Sequence, residues 1–142
     1  MRSWSSALLV ILVVLCAQGL NAVVNGQSVQ YSTISGTVRC GSGCSALGLS
    51  DGAPIQSAGR VFAFMTMALD PSTGAQRPDL PTTNGQATFD ASANGQYQIQ
   101  GLLPGIYDLY VYADGYQTIL GQHGVTVLTG VSLHFDFYVT PA

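Results

Sequence analysis

The chain contains no lysine and no glutamate: four arginines and seven aspartates carry every full charge, giving a formal net charge of −3 over 142 residues. Without a cationic cluster there is no electrostatic footprint for nucleic acid, whose backbone charge dominates such complexes. The same shortage excludes adhesion to an anionic membrane surface through a basic segment. No segment after Asn25 combines a sustained helical period with caps. Nor does any apolar run reach the length of a membrane span. The longest, Ala7 to Ala17, would form a helix about 17 Å long against roughly 30 Å of hydrocarbon. No Asn-x-Ser/Thr acceptor occurs, so Ser72, Thr73, Thr82 and Thr83 are the hydroxyls open to glycan attachment.

The N-terminus has the layout of a secretory signal: Arg2, the apolar run, then small residues at Ala17, Gly19 and Ala22. We expect a signal peptide over residues 1–22, cut after Gly19 or Ala22, with a retained anchor as the alternative. Lipid attachment at Cys16 is disfavoured by Leu15, where lipoprotein signals carry a small residue. Loss of Arg2 moves the net charge from −3 to −4. The remaining ~120 residues suit one domain with one core. Removal also leaves two of the three cysteines, Cys40 and Cys44, separated by Gly-Ser-Gly. Such spacing permits a tight reversal closed by a disulfide in an oxidising compartment. A redox pair favours two intervening residues, and no second ligand cluster accompanies these two as a metal site would need.

Short alternating segments broken by Gly, Pro and Asn predict an all-β protein. Ser32–Cys40 is the first strand of the expected body. Arg60–Leu69 is apolar on both faces, as a strand covered on both sides would be, with Met65 and Met67 as adaptable core filling. Residues 70–85 form a long polar connection. Gln86–Ser92 resumes strand character, and Asn94-Gly95 marks a tight turn into Gln96–Gln100. In Ile106–Ala113, Tyr107, Leu109, Val111 and Ala113 share one face, with Ile106, Asp108, Tyr110 and Tyr112 on the other. Residues 116–128 hold one or two short strands. Val131 to Val139 alternates over nine residues, the clearest period of two in the chain. Seven or so strands at hairpin spacing predict two packed antiparallel sheets, a Greek-key β-sandwich of prealbumin or immunoglobulin type.

Gly101-Leu-Leu-Pro-Gly-Ile-Tyr-Asp-Leu-Tyr-Val-Tyr-Ala-Asp-Gly-Tyr116 resembles the carboxypeptidase regulatory-like signature G-L-P-P-G-x-Y-x-L-x-V-x-A-x-G-Y. Ile34-Ser-Gly-Thr-Val38 and Asn94-Gly-Gln-Tyr97 resemble other steps of that family. The resemblance spans roughly Thr33 to Val139, so we assign the sandwich to 33–142 and treat 23–32 as an N-terminal extension. It implies a prealbumin-like fold and no particular activity. Gly105 is read as a positive-φ position after Pro104, and Tyr107 and Tyr116 as caps on a core-facing row. Collagen-adhesin B-type relatives form Lys–Asn crosslinks, which a chain without lysine cannot make. Transthyretin-like hydrolases end in Tyr-Arg-Gly-Ser, whereas this chain ends Phe137-Tyr-Val-Thr-Pro-Ala142.

Candidate chemistry is sparse. His134, Asp136 and Ser132 share an outward strand face and superficially resemble a hydrolase triad, but no nucleophile elbow or oxyanion donor accompanies them. The second histidine, His123, sits in a Gly-Gln-His-Gly turn. Asp51, Asp70, Asp79 and Asp114 lie in loops without the dense spacing of a calcium site. We therefore expect no enzyme activity, cofactor or metal. The candidate contact surface is aromatic: Tyr110, Tyr112 and Tyr138, with Phe62 and Phe64, can stack on sugar rings or anchor a protein. A candidate donor strand lies in the N-terminal extension at Val23, Val24, Val29 and Tyr31. The sequence therefore predicts an exported structural or interaction protein that self-associates by strand addition, with a carbohydrate-binding module as the alternative.

Overall fold

The computed structural model describes residues 21–24 and 27–142, with side chains from Gln30 onward. The predicted signal segment, including its apolar run and Cys16, lies outside the described residues, apart from the backbone of Asn21 and Ala22 at its end. Ten strands follow in order: β1 Asn21–Val24, β2 Gln27–Gln30, β3 Ser32–Cys40, β4 Gly59–Ala68, β5 Gly85–Phe89, β6 Gln96–Leu102, β7 Gly105–Ala113, β8 Ile119–Val127, β9 Ser132–His134 and β10 Phe137–Val139. β1 and β2 form a separate antiparallel hairpin. The other eight make two facing four-stranded sheets. In sheet I, β3 lies between β6 and the β9/β10 pair; sheet II runs β5-β4-β7-β8.

The sandwich follows from alternation. Ile34 and Val38 of β3, Tyr97 and Ile99 of β6, and Phe137 and Val139 of β10 are buried from sheet I. Val61, Ala63 and Met65 of β4 meet them from sheet II with Tyr107, Leu109 and Val111 of β7. Only one face of β4 is covered, however. Phe62 is half-buried and Phe64 is exposed, so the double apolar pattern marks a central strand with an open outer surface. Met65 is buried, and Met67 is half-buried beside a register shift.

Asn94 and Gly95 both take left-handed conformations, φ 52° and 72°. The reversal they make carries the chain from β5 in sheet II to β6 in sheet I. Gly105 has a different role from the one expected. Its φ is not positive; instead a Cβ there would lie 2.7 Å from Met65 Cε and 3.0 Å from the Met67 carbonyl. Close strand approach, rather than backbone handedness, requires glycine at this position. Tyr107 is fully buried and its hydroxyl donates to the Leu103 carbonyl.

The C-terminal alternation does not form one strand. β9 and β10 both pair with β3, and both run parallel to it, so the sandwich has eight strands and is not wholly antiparallel. Register is kept through the break, since Ser132 faces Thr33 and Phe137 faces Val38. In the gap, the Phe135 N–H donates to the Ser35 carbonyl, and the Thr37 N–H donates to Asp136 Oδ1 at 2.9 Å. A carboxylate thus replaces a backbone acceptor. The Phe135 carbonyl accepts instead from the Tyr97 hydroxyl at 2.6 Å.

Cys40 and Cys44 form a disulfide, both fully buried at the end of β3. So short a loop contributes about 2 kcal/mol on the chain-entropy relation. Reduction should lower the thermal midpoint by roughly 8 °C, read by calorimetry with and without reductant. No shift would mean that the backbone bonds Cys40–Ala53 and Gly52–Cys40 already hold the loop.

Candidate functional site

The outer face of sheet II gathers three of the six exposed large apolar side chains among the described residues. Three paired strands align Phe62 with Tyr110 and Tyr110 with Leu120, while Arg60 faces Tyr112 and Phe64 faces Asp108. Phe64, Tyr112 and Leu120 are 44%, 39% and 49% exposed; Phe62 and Tyr110 are half-buried between them. On the β5 side, Gln86 pairs with Phe62 and Thr88 with Arg60, placing an amide and a hydroxyl beside the rings. The Arg60 guanidinium lies over the Tyr112 ring, 4.8 Å from its centroid. Next to it is a shallow hollow of about 320 Å³, lined by Ala58, Gly59, Arg60, Thr88, Tyr112 and Asp114. Gly59 makes this corner dense, since a Cβ would meet the Tyr112 carbonyl and the Phe89 ring.

The other described cations are neutralised. Arg39 pairs with Asp136, and Arg77 bridges Asp70 and Asp79. Arg60 has no carboxylate within salt-bridge distance among the described residues. Its guanidinium donors therefore face whatever meets the face.

Tyr138 does not belong to this surface. It is 57% exposed on β10, in the opposite sheet, so Tyr110 and Tyr112 point one way and Tyr138 the other. Period two shows that a side chain points outward without showing from which sheet. Leu120 and Arg60 complete the face and were not predicted. Leu120 follows a turn where no clean alternation announces a strand, and an arginine opening an apolar segment does not show which face it takes.

His134 Nε2 lies 3.1 Å from Asp136 Oδ1. No hydrogen bond joins Ser132 to His134 among the described residues, so the outward face carries a His134–Asp136 contact and no relay to Ser132. His123 Nδ1 lies 2.8 Å from Asp108 Oδ1, which also accepts the Gly124 N–H. The loop aspartates serve turns and pairs. Asp70 accepts from the Ser72 hydroxyl and from the Ser72 and Thr73 N–H groups, which together with Arg77 hold its carboxyl far below the usual range. The Ser92 hydroxyl and N–H lower Asp90, and Arg77 lowers Asp79. Asp51 accepts the Cys44 N–H. Among the described residues no three His, Cys, Asp or Glu side chains are grouped to hold a metal ion.

A family model described as polysaccharide lyase family 4, domain II, a fibronectin-III-like β-sandwich, matches residues 57–133. The chain belongs to that family. The match covers β4 to β8 and the first two residues of β9, and it supports a β-sandwich family but not the carboxypeptidase regulatory-like type in particular. No curated protein and no solved structure gives a significant match.

Proposed function

We infer that the protein is a non-catalytic β-sandwich acting outside the cell, which binds polysaccharide through the outer face of sheet II. The observation that carries this reading is the exposed row of rings flanked by Arg60, Thr88 and Gln86. A flat aromatic face stacks on the C–H side of a sugar ring, and side-chain donors at its rim bond the hydroxyls. The family description, which names a domain of polysaccharide lyases, supports the same class of ligand. The buried disulfide and the N-terminal leader pattern support export. Among the described residues no helix is long and apolar enough to cross a membrane.

The test is retention on a panel of insoluble and gel-embedded polysaccharides. Phe64→Ala/Tyr112→Ala should weaken retention about tenfold or more, equivalent to about 1.4 kcal/mol or more, with the thermal midpoint little changed. Tyr138→Ala should leave retention intact, because Tyr138 sits on the other sheet. Absence of retention by the parent protein, or an unaffected double variant, sinks the reading.

A second reading rests on a different observation. The β1–β2 hairpin belongs to neither sheet, and a lone two-stranded hairpin is marginally stable in water. Such a segment supports self-association by strand addition, which would make the chain a filament subunit. Val23, Val24 and Val29 lie in this hairpin and Tyr31 joins it to β3.

A further inference from the structure

A filament needs an acceptor as well as a donor, and the four sheet edges are unequal. β10 has three residues and is followed closely by Pro141. β8 is long, but its pairing with β7 is irregular at two points. β5 has five residues and is followed at once by Asp90. β6 has seven residues, Gln-Tyr-Gln-Ile-Gln-Gly-Leu, without proline or charge, and pairs regularly with β3 over Gln96–Ile99. Edges normally carry charge, proline or bulges that discourage pairing. The regular part of β6 has none of these. An open groove of about 620 Å³ is lined by Gln96 and Gln98 of β6, by Ser35 and Thr37 of β3 and His134 of β9 on the same outer face, and by Thr88 and Asp90 at the β5 end.

We propose that the free edge of β6 receives the β1–β2 hairpin of a second copy, so that copies join head to tail; this rests on the strand-addition reading above. β2 is common to either predicted signal cut and offers the pairing edge. The chain's own hairpin is poorly placed for this groove. Its base is fixed where the Gly130 N–H donates to the Gln30 carbonyl, just before β9. β9 and β6 flank β3 on opposite sides. The hairpin also leaves β3 at Ser32, whereas the groove opens beside Ser35–Thr37, farther along the strand. Asn21–Gln30 contains no charged residue, matching the uncharged β6 edge. Donor and acceptor are different surfaces, so the contact is heterologous and propagates unless it closes into a ring.

The test uses the exported chain in two full-length variants. Gln96→Lys/Gln98→Lys places charge on the acceptor and leaves the donor intact; Val23→Pro/Val29→Pro removes donor N–H groups and leaves the acceptor intact. Each should raise the concentration needed for assembly at least tenfold by light scattering and electron microscopy. An equimolar mixture should give a heterodimer and no longer species, with amides of β6 protected from hydrogen exchange only in the mixture. That complementation also shows that both variants are folded. Parent-like assembly of the lysine variant overturns the β6 assignment while strand donation stands. Parent-like assembly of the proline variant overturns strand donation itself, and a parent that stays monomeric at millimolar concentration overturns both.

Discussion

Gly36→Ala should cost about 3 kcal/mol or more and lower the thermal midpoint by roughly 12–15 °C. The added Cβ would lie 1.7 Å from the Phe135 carbonyl oxygen and 3.1 Å from the Tyr97 hydroxyl. Neither neighbour can yield freely. The carbonyl belongs to the β9–β10 break and is fixed by the Tyr97 hydrogen bond, while the Tyr97 ring stacks on Phe137 at 5.8 Å. Tyr97 is buried, which pushes its hydroxyl well above the ordinary phenol range and keeps it a donor. The measurement is calorimetric unfolding of the variant beside the parent. A shift under about 3 °C, below what even 1 kcal/mol should produce, would show that the break relaxes without cost.

Asp136→Ala is expected to cost about 2–3 kcal/mol, and Asp136→Asn roughly half of that. The carboxylate bonds the Thr37 N–H at 2.9 Å, the Arg39 Nε at 3.3 Å and His134 Nε2 at 3.1 Å. Asparagine keeps an acceptor for Thr37 and loses the charge, which separates the two contributions. Burial opposes ionisation here, but the Thr37 N–H, Arg39 and His134 outweigh it and the carboxyl is held below its ordinary value. The sign of the pH dependence follows. A lowered folded-state value gives stability that is complete above the unfolded carboxylate value, about 3.9, and lost as pH falls through the folded one. The stability gap between the parent and Asp136→Asn should therefore narrow as pH falls below about 4. A gap that persists at pH 2, measured by urea unfolding, would mean that the charge contributes nothing.

The parts of the fold that were legible are those governed by local chemistry. Asn94-Gly95 announces its turn because few other residue pairs accept two successive positive φ angles. The inward row of β7 follows from alternation alone. The break between β9 and β10 was not legible, because a side-chain carboxylate that takes a backbone acceptor's place leaves the hydrophobic period intact. Phe135 and Phe137 keep the same phase on either side of it. The parallel direction of both strands was equally hidden, since it depends on where the chain crosses from sheet II. Ser32 fixes that crossing through its buried hydroxyl, which donates to the Leu128 carbonyl and accepts the Val131 N–H. Those partners are almost a hundred residues away in sequence. The outer face of sheet II shows the same limit. Tyr110 and Tyr112 were found by phase, whereas their separation from Tyr138 depends on sheet assignment.

The parallel alignment of β3 with β10 also decides how the molecule carries load. The sandwich begins at the Ser32 end of this pair and ends at the Val139 end, beside Cys40. Tension between the two ends therefore runs along the strands and across their hydrogen bonds, which stretch together instead of opening in succession. The Cys40–Cys44 staple sits at the far end of that ladder.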